Sequence, residues 1–214
     1  MPDFAQARRT MVESQLRTFD VTDRAVLAAA LDVPRERFMP AGHEGLAYVD
    51  RIVPVRGPAG TTRVLLAPMI LARLIQALDL APGARVLDVA GGTGYAAALM
   101  AAMGAEVTSL EDEGFRLPGA AFPDGIVRRS GPVAEGCPDL APFDAILING
   151  AVEERPAGLL AQLADGGRLG CLRRDGRAGR AMLYVRTAGI SEAVLFDAPS
   201  PVLPEFAAEP AFVF

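Results

Sequence analysis

Cysteine and histidine are nearly absent. The 214 residues hold two cysteines, Cys137 and Cys171, and a single histidine, His43. Two cysteines cannot build a disulfide framework, and with one histidine they offer no metal-ligand spacing, so no metal is expected. Both thiols are expected as small core or loop residues. A basic excess is missing too: 21 Lys+Arg stand against 26 Asp+Glu, a formal net charge of −5. Nucleic acid and anionic membrane are therefore not expected as partners, because both draw on clustered positive charge. No apolar run reaches the roughly 20 residues that a membrane span takes. The opening stretch has no apolar segment behind Arg8 and Arg9, unlike a signal peptide. A cytoplasmic protein is expected.

What is present is core material. Hydrophobic residues make up 51% of the chain, charged residues 22%, and mean hydropathy is +0.27. That excludes disorder as a description of the whole chain and suits one good-sized domain. The 22 glycines and 17 prolines follow no fixed period, which excludes collagen and implies many turns.

Two regions read differently. Over residues 1–80, Phe4, Ala7, Met11, Val12 and Leu16 recur at helical spacing, and Thr22 is the expected N-cap of a second helix over 25–31. Residues 50–63, with Pro54, Gly57, Pro58 and Gly60, read as loop. Pro68 opens a third helix whose Ile70, Leu71, Leu74, Ile75 and Leu78 share one apolar face. From residue 81 to 214, strand-length apolar runs alternate with helices. Strands are expected over 84–89, 106–110, 126–129, 143–148 and 167–172, with helices over 96–103 and 156–163. Two further strands, 181–186 and 192–197, add an antiparallel edge. Apolar strands separated by helices imply an α/β, doubly wound, mostly parallel sheet covered on both faces.

The most informative stretch is Val86-Leu-Asp88-Val-Ala90-Gly91-Gly92-Thr-Gly94-Tyr95. A buried strand runs into a glycine turn and directly into a helix, an arrangement that lets a ligand approach the backbone and a helix N-terminus. Glu111 ends the next strand, 19 residues after Gly92, where a carboxylate accepts hydrogen bonds from ribose hydroxyls. Strand, turn, helix, strand and acid together describe a nucleoside site. Gly92-x-Gly94-x-x-Ala97 also passes for a dinucleotide fingerprint. Asp88 opposes that alternative, since an acid ahead of the turn repels a pyrophosphate and suits the ammonium of S-adenosylmethionine. Asn149 follows the fourth strand and is a further contact candidate. His43 and the arginines at 173, 174, 177 and 180 read as a solvated turn and loop, Asp144 as structural, and Tyr48 equally as a ring stacked near the site or as half-buried packing.

The chain resembles the protein-L-isoaspartate O-methyltransferases over nearly its whole length. The resemblance rests on Met11-Val-Glu-Ser-Gln-Leu16, Val33-Pro-Arg-Glu-Arg-Phe38, Ala67-Pro68, the glycine loop, Ala141-Pro-Phe-Asp-Ala-Ile146 and Leu160-Ala-Gln-Leu-Ala-Asp-Gly-Gly-Arg-Leu169. It implies a seven-stranded Rossmann-like class I methyltransferase with an N-terminal helical extension, S-adenosylmethionine as cofactor, and a protein or peptide isoaspartyl carboxyl as acceptor. Asp88, Ala90, Gly91, Gly92, Gly94, Glu111 and Asn149 are the implied cofactor contacts. Three departures stand out. The family's Ser/Thr-x-Pro-His signature reads Leu66-Ala67-Pro68-Met69, so hydroxyl and imidazole are gone, leaving Thr61 and Thr62 as nearby hydroxyls. The first glycine of the cofactor loop is Ala90. The helix after the second strand is cut to 114–123, and Gly131-Pro132 replaces an adenine-contacting Asp-Gly. Weak or absent isoaspartyl methylation is expected. The alternatives are a lapsed member that binds a metabolite or protein, and an NAD-dependent enzyme.

Overall fold

The computed structural model describes residues 3–115, 122–176 and 178–208. Helix α1 (Phe4–Met11) is capped by Asp3, whose side chain accepts from the Gln6 amide. It runs on through a wider turn over Val12–Leu16 and a tighter one over Arg17–Phe19. Helix α2 (Arg24–Asp32) is capped by Asp23, not by Thr22. The Thr22 and Asp23 amides both donate to Gln76 Oε1 of the third helix, and the Asp23 carboxylate takes the Ala25 and Val26 amides.

The segment expected as loop holds a hairpin. Strand β1 (Val53–Arg56) pairs antiparallel with β2 (Thr62–Leu65), with Val53 opposite Leu65. Val53 and Val55 alternate inward while Pro54 faces out. An edge position tolerates the proline's missing N–H, which is why the strand survives it. Helix α3 (Pro68–Leu78) follows with proline in its first turn and buries Leu71, Leu74, Ile75 and Leu78.

Seven strands form the main sheet, in the order β5 (Val127–Ser130), β4 (Glu106–Glu111), β3 (Arg85–Val89), β6 (Phe143–Val152), β7 (Leu163–Asp175), β8 (Ala178–Arg186), β9 (Ile190–Asp197). The first five are parallel, and β8 and β9 add the antiparallel edge. Helix α4 (Tyr95–Ala102) links β3 to β4. Helix α5 (Ala157–Leu160) is a single turn, shorter than the expected 156–163, because Leu163 already pairs with Phe143. The arginines read as solvated loop lie on strands instead. Arg173 and Arg174 close β7 and pair with Glu192 and Glu153, while Arg180 sits on β8. Arg177 lies outside the described residues, as does most of the 114–123 segment.

Alternation along the strands divides the core between two faces. Val86, Ala145, Leu147 and Leu172 pack under α1 to α4 and the hairpin. Leu87, Val89, Ile146, Ile148, Leu169 and Cys171 face the other way, with Leu159 and Leu160 of α5. Beyond β9 the chain returns across the end of β6. Val202 bridges Ala151, the Leu203 amide donates to the Ala151 carbonyl, and the Leu203 side chain fills the space over Gly150. Among the described residues, no helix is long and apolar enough to cross a membrane.

Candidate functional site

The carboxyl ends of β3, β4 and β6 meet where the sheet order reverses, the position at which open α/β sheets bind ligands. From β3 the chain enters the glycine loop with Ala90 at φ 54° and Gly92 at 58°, both left-handed, and Gly94 at 85°. A Cβ on Gly94 would lie 2.7 Å from the Phe122 ring, and one on Gly92 would lie 3.1 Å from Arg63 Cβ. Glycine is required there by conformation and by space alike.

Asp88 is fully buried beneath this loop. Its Oδ1 accepts from Asn149 Nδ2 at 2.7 Å, its Oδ2 accepts from Ser109 Oγ at 3.4 Å, and Asn149 also donates to the Val89 carbonyl at 3.0 Å. The two residues therefore tie β3 to β6 at the point where the loop begins. Burial pushes the Asp88 carboxyl up to about 7 against the Asn149 hydrogen bond, with the charge of Glu111 adding to the rise. Gly91 lies against this carboxylate, since a Cβ there would sit 2.2 Å from Oδ2.

Glu111 stands beside the loop. Its Oε2 accepts from the Gly92 amide at 3.1 Å, and its Oε1 accepts from the Asp112 amide at 3.0 Å. Arg63 of β2 completes the arrangement. Its side chain is 1% exposed, with Nε 2.8 Å and Nη2 2.7 Å from Glu111 Oε1. Nη2 also reaches Asp112 Oδ2 at 2.7 Å, and Nη1 reaches Glu205 Oε1 at 2.9 Å. Burial opposes the Arg63 charge, but hydrogen bonding to Glu111 and the charges of Glu111 and Glu205 outweigh it and raise its pKa. The guanidinium lies 5.2 Å from the centroid of the Phe115 ring.

Leu66 and Met69, on either side of Ala67-Pro68, carry no hydroxyl or imidazole. Leu66 is buried, and its carbonyl accepts from Arg35 Nη2 at 2.7 Å. The Met69 amide donates to Asp50 Oδ1 at 3.1 Å, which caps α3. Arg35 is 1% exposed and stacks over the Tyr95 ring at 4.8 Å. Its Nη1 has no partner among the described residues, and neither does the buried Thr93 Oγ1 of the glycine loop. Thr61 is committed to its own turn, donating to the Pro58 carbonyl at 2.7 Å, and Thr62 is exposed at the start of β2.

The sheet thus brings Asp88, Ala90, Gly91, Gly92, Gly94, Glu111 and Asn149 together. His43 is exposed, Asp144 takes the Arg85 amide at the opposite sheet end, and Tyr48 bonds Arg8 and Glu36. Sequence reasoning missed Arg63, Phe115, Phe122 and Glu205. Only the alternation of Val53 and Val55 against Val64 hinted at the strand that carries Arg63.

Comparison with known proteins bears on the chain as a whole. The family model for protein-L-isoaspartate(D-aspartate) O-methyltransferase matches residues 6–113 and 123–182. A protein-L-isoaspartate O-methyltransferase of Methylorubrum extorquens (strain PA1) is 43% identical over 174 residues, covering 79% of this chain and 75% of that one. Its counterpart in Gloeobacter violaceus is 40% identical over 173 residues, covering 74% and 78%. A crystal structure from Plasmodium falciparum, described as a beta-aspartate methyltransferase in complex with S-adenosyl-L-homocysteine, superposes with a TM-score of 0.72 at 22% identity. That match covers 96% of this chain and all of the other, and shows the fold. Matched from the first helix to β8, with the glycine loop and its acid in place, the chain belongs to the protein-L-isoaspartate O-methyltransferase family.

Proposed function

We propose that this protein is an S-adenosylmethionine-dependent carboxyl methyltransferase with weakened isoaspartyl activity. The observation that carries the reading is the glycine loop, seated on the Asp88–Asn149 pair and flanked by Glu111. These residues fit the cofactor. The left-handed turn brings backbone amides within reach of a ligand, Glu111 stands at the ribose position, and Thr93 offers an unpartnered hydroxyl. Asp88 and Asn149 would fix the loop from below, and Ala90, Gly91, Gly92 and Gly94 would line it. When bound, S-adenosylmethionine supplies an electrophilic methyl group. Dinucleotides fit poorly, because Glu111, Asp112 and Glu205 set three carboxyl groups against one guanidinium, and a pyrophosphate would meet that negative field.

A carboxylate acceptor is already nucleophilic at neutral pH, so the chain's task is to orient it and exclude water. Leu66 gives it no hydrogen bond, and placing a carboxylate against leucine without a partner is unfavourable by several kcal/mol. That supports weak transfer to isoaspartyl peptides. The acceptor side is read as residues 1–80, laid over a cofactor-binding core of 81–214. A cleft of about 440 Å³ there is lined by His43, Arg51 and Arg56 with Leu46 and Ile52. No carboxylate pairs with either arginine among the described residues, and this suits an acidic peptide segment. Two buried free thiols, Cys137 and Cys171, suit a cytoplasmic setting.

The test is transfer of labelled methyl groups to an isoaspartyl peptide by the native chain and by the double variant Leu66→Ser, Met69→His. Gain of activity in the variant is the expected result. Native activity equal to that of family members with the intact signature would remove the weakened-activity reading. Tight S-adenosylhomocysteine binding with no transfer by either protein would favour the second reading, a binding module, for which the apolar Leu66 speaks.

A further inference from the structure

The acid of the nucleoside site is already largely taken. An ionised carboxylate has about four lone-pair sites. Glu111 accepts three hydrogen bonds, from Arg63 Nε, the Asp112 amide and the Gly92 amide, and Arg63 Nη2 stands 2.7 Å from its Oε1 as an ion pair. Oε1 takes two of the three. A ribose diol brings two hydroxyls, and no more than one acceptor site is open to them while Arg63 stays. The occupant is well held. Its guanidinium is buried, its stem lies against Gly92, and Asp112 and Glu205 take its remaining edge. Glu205 is brought there by the segment after β9, anchored on β6 through Ala151 and Gly150.

We infer that Arg63 is an internal competitor of the cofactor ribose and sets the affinity of the site. The inference rests on the cofactor reading above. Ligand entry requires Arg63 to let go of Glu111, and Asp112 and Glu205 are the partners that keep the guanidinium neutralised once it has done so. Arg63 therefore opposes binding, whereas Glu205 assists it. The two substitutions should shift affinity in opposite directions. A purely structural role would weaken binding in both.

The experiment is calorimetric titration of the full chain with S-adenosylhomocysteine, comparing native protein, Arg63→Gln, Glu205→Gln and the double variant. Arg63→Gln should bind about tenfold more tightly or better, the worth of one or two hydrogen bonds to a charged group. Glu205→Gln should bind several-fold more weakly. The double variant keeps the local charge of the native cluster, two negatives in excess, and should still bind more tightly than native protein. It controls both for added negative charge and for a single variant that fails to fold, with circular dichroism as the check. Equal or weaker binding in Arg63→Gln and in the double variant would overturn the competitor while leaving the cofactor reading intact. Binding by Arg63→Gln and the double variant alone supports both. Absence of binding in all four folded proteins would overturn both.

Discussion

Asp88 carries a proton at pH values where an ordinary aspartate does not, because burial holds its carboxyl at about 7 against 3.8 in the unfolded chain. Between those values the folded state binds a proton that the unfolded state lacks. The stability contributed by Asp88 is therefore complete below about pH 4 and is lost as pH rises through about 7. Asp88→Asn retains an oxygen to accept from Asn149 and removes the titration. Its stability relative to native protein should rise from pH 4 to pH 7 and then stay level, as read by urea unfolding at a series of pH values. A pH-independent difference would mean that Asp88 titrates normally. Ala90 poses a different balance. Its left-handed backbone costs about 1–2 kcal/mol, but its buried methyl contributes about 0.8 kcal/mol, and glycine loses about 0.5–1 kcal/mol more in backbone entropy on folding. The terms nearly cancel, so Ala90→Gly should change stability by less than about 1 kcal/mol. That near-balance accounts for an alanine in a left-handed position.

At the scale of elements, two segments outside the main sheet finish the site. The β1–β2 hairpin delivers Arg63 to Glu111 and leaves Arg51 and Arg56 in the cleft on its outer side. Arg51→Ala with Arg56→Ala should raise KM for an acidic isoaspartyl peptide several-fold and leave S-adenosylhomocysteine affinity unchanged. An unchanged KM would place the acceptor elsewhere. The segment after β9 depends on Leu203, buried over Gly150. Leu203→Ala should cost about 2–4 kcal/mol in denaturant unfolding, the range for a core leucine with incomplete collapse.

For the molecule as a whole, ligand binding and stability are linked. S-adenosylhomocysteine at about 100 times Kd should stabilise the fold by about 2.7 kcal/mol, a rise in Tm of about 5–10 °C at this chain length. Glu111→Ala should remove most of that rise. The α/β architecture and its antiparallel edge were legible because apolar strand-length runs alternate with helical spacing, a pattern that any such sheet must show. The loop and its acid were legible because the glycines and Glu111 lie on consecutive strand ends, close in sequence. The hairpin was not, since Pro54, Gly57, Pro58 and Gly60 are turn formers whose edge placement only the neighbouring chain explains. Thr22 and Asp23 are equally good caps by residue type, and Gln76, more than fifty residues away, settled which of them serves. Sequence by itself determined the sheet, the glycine loop between β3 and α4, and the apolar side chains of Leu66 and Met69 beside Pro68, because these depend on residue type and short-range order. Tertiary structure alone decided what Glu111 holds. Arg63 comes from β2, Glu111 and Asp112 from the end of β4 and Glu205 from the segment beyond β9, and the meeting of the three carboxylates at one guanidinium is a long-range contact that no local pattern encodes.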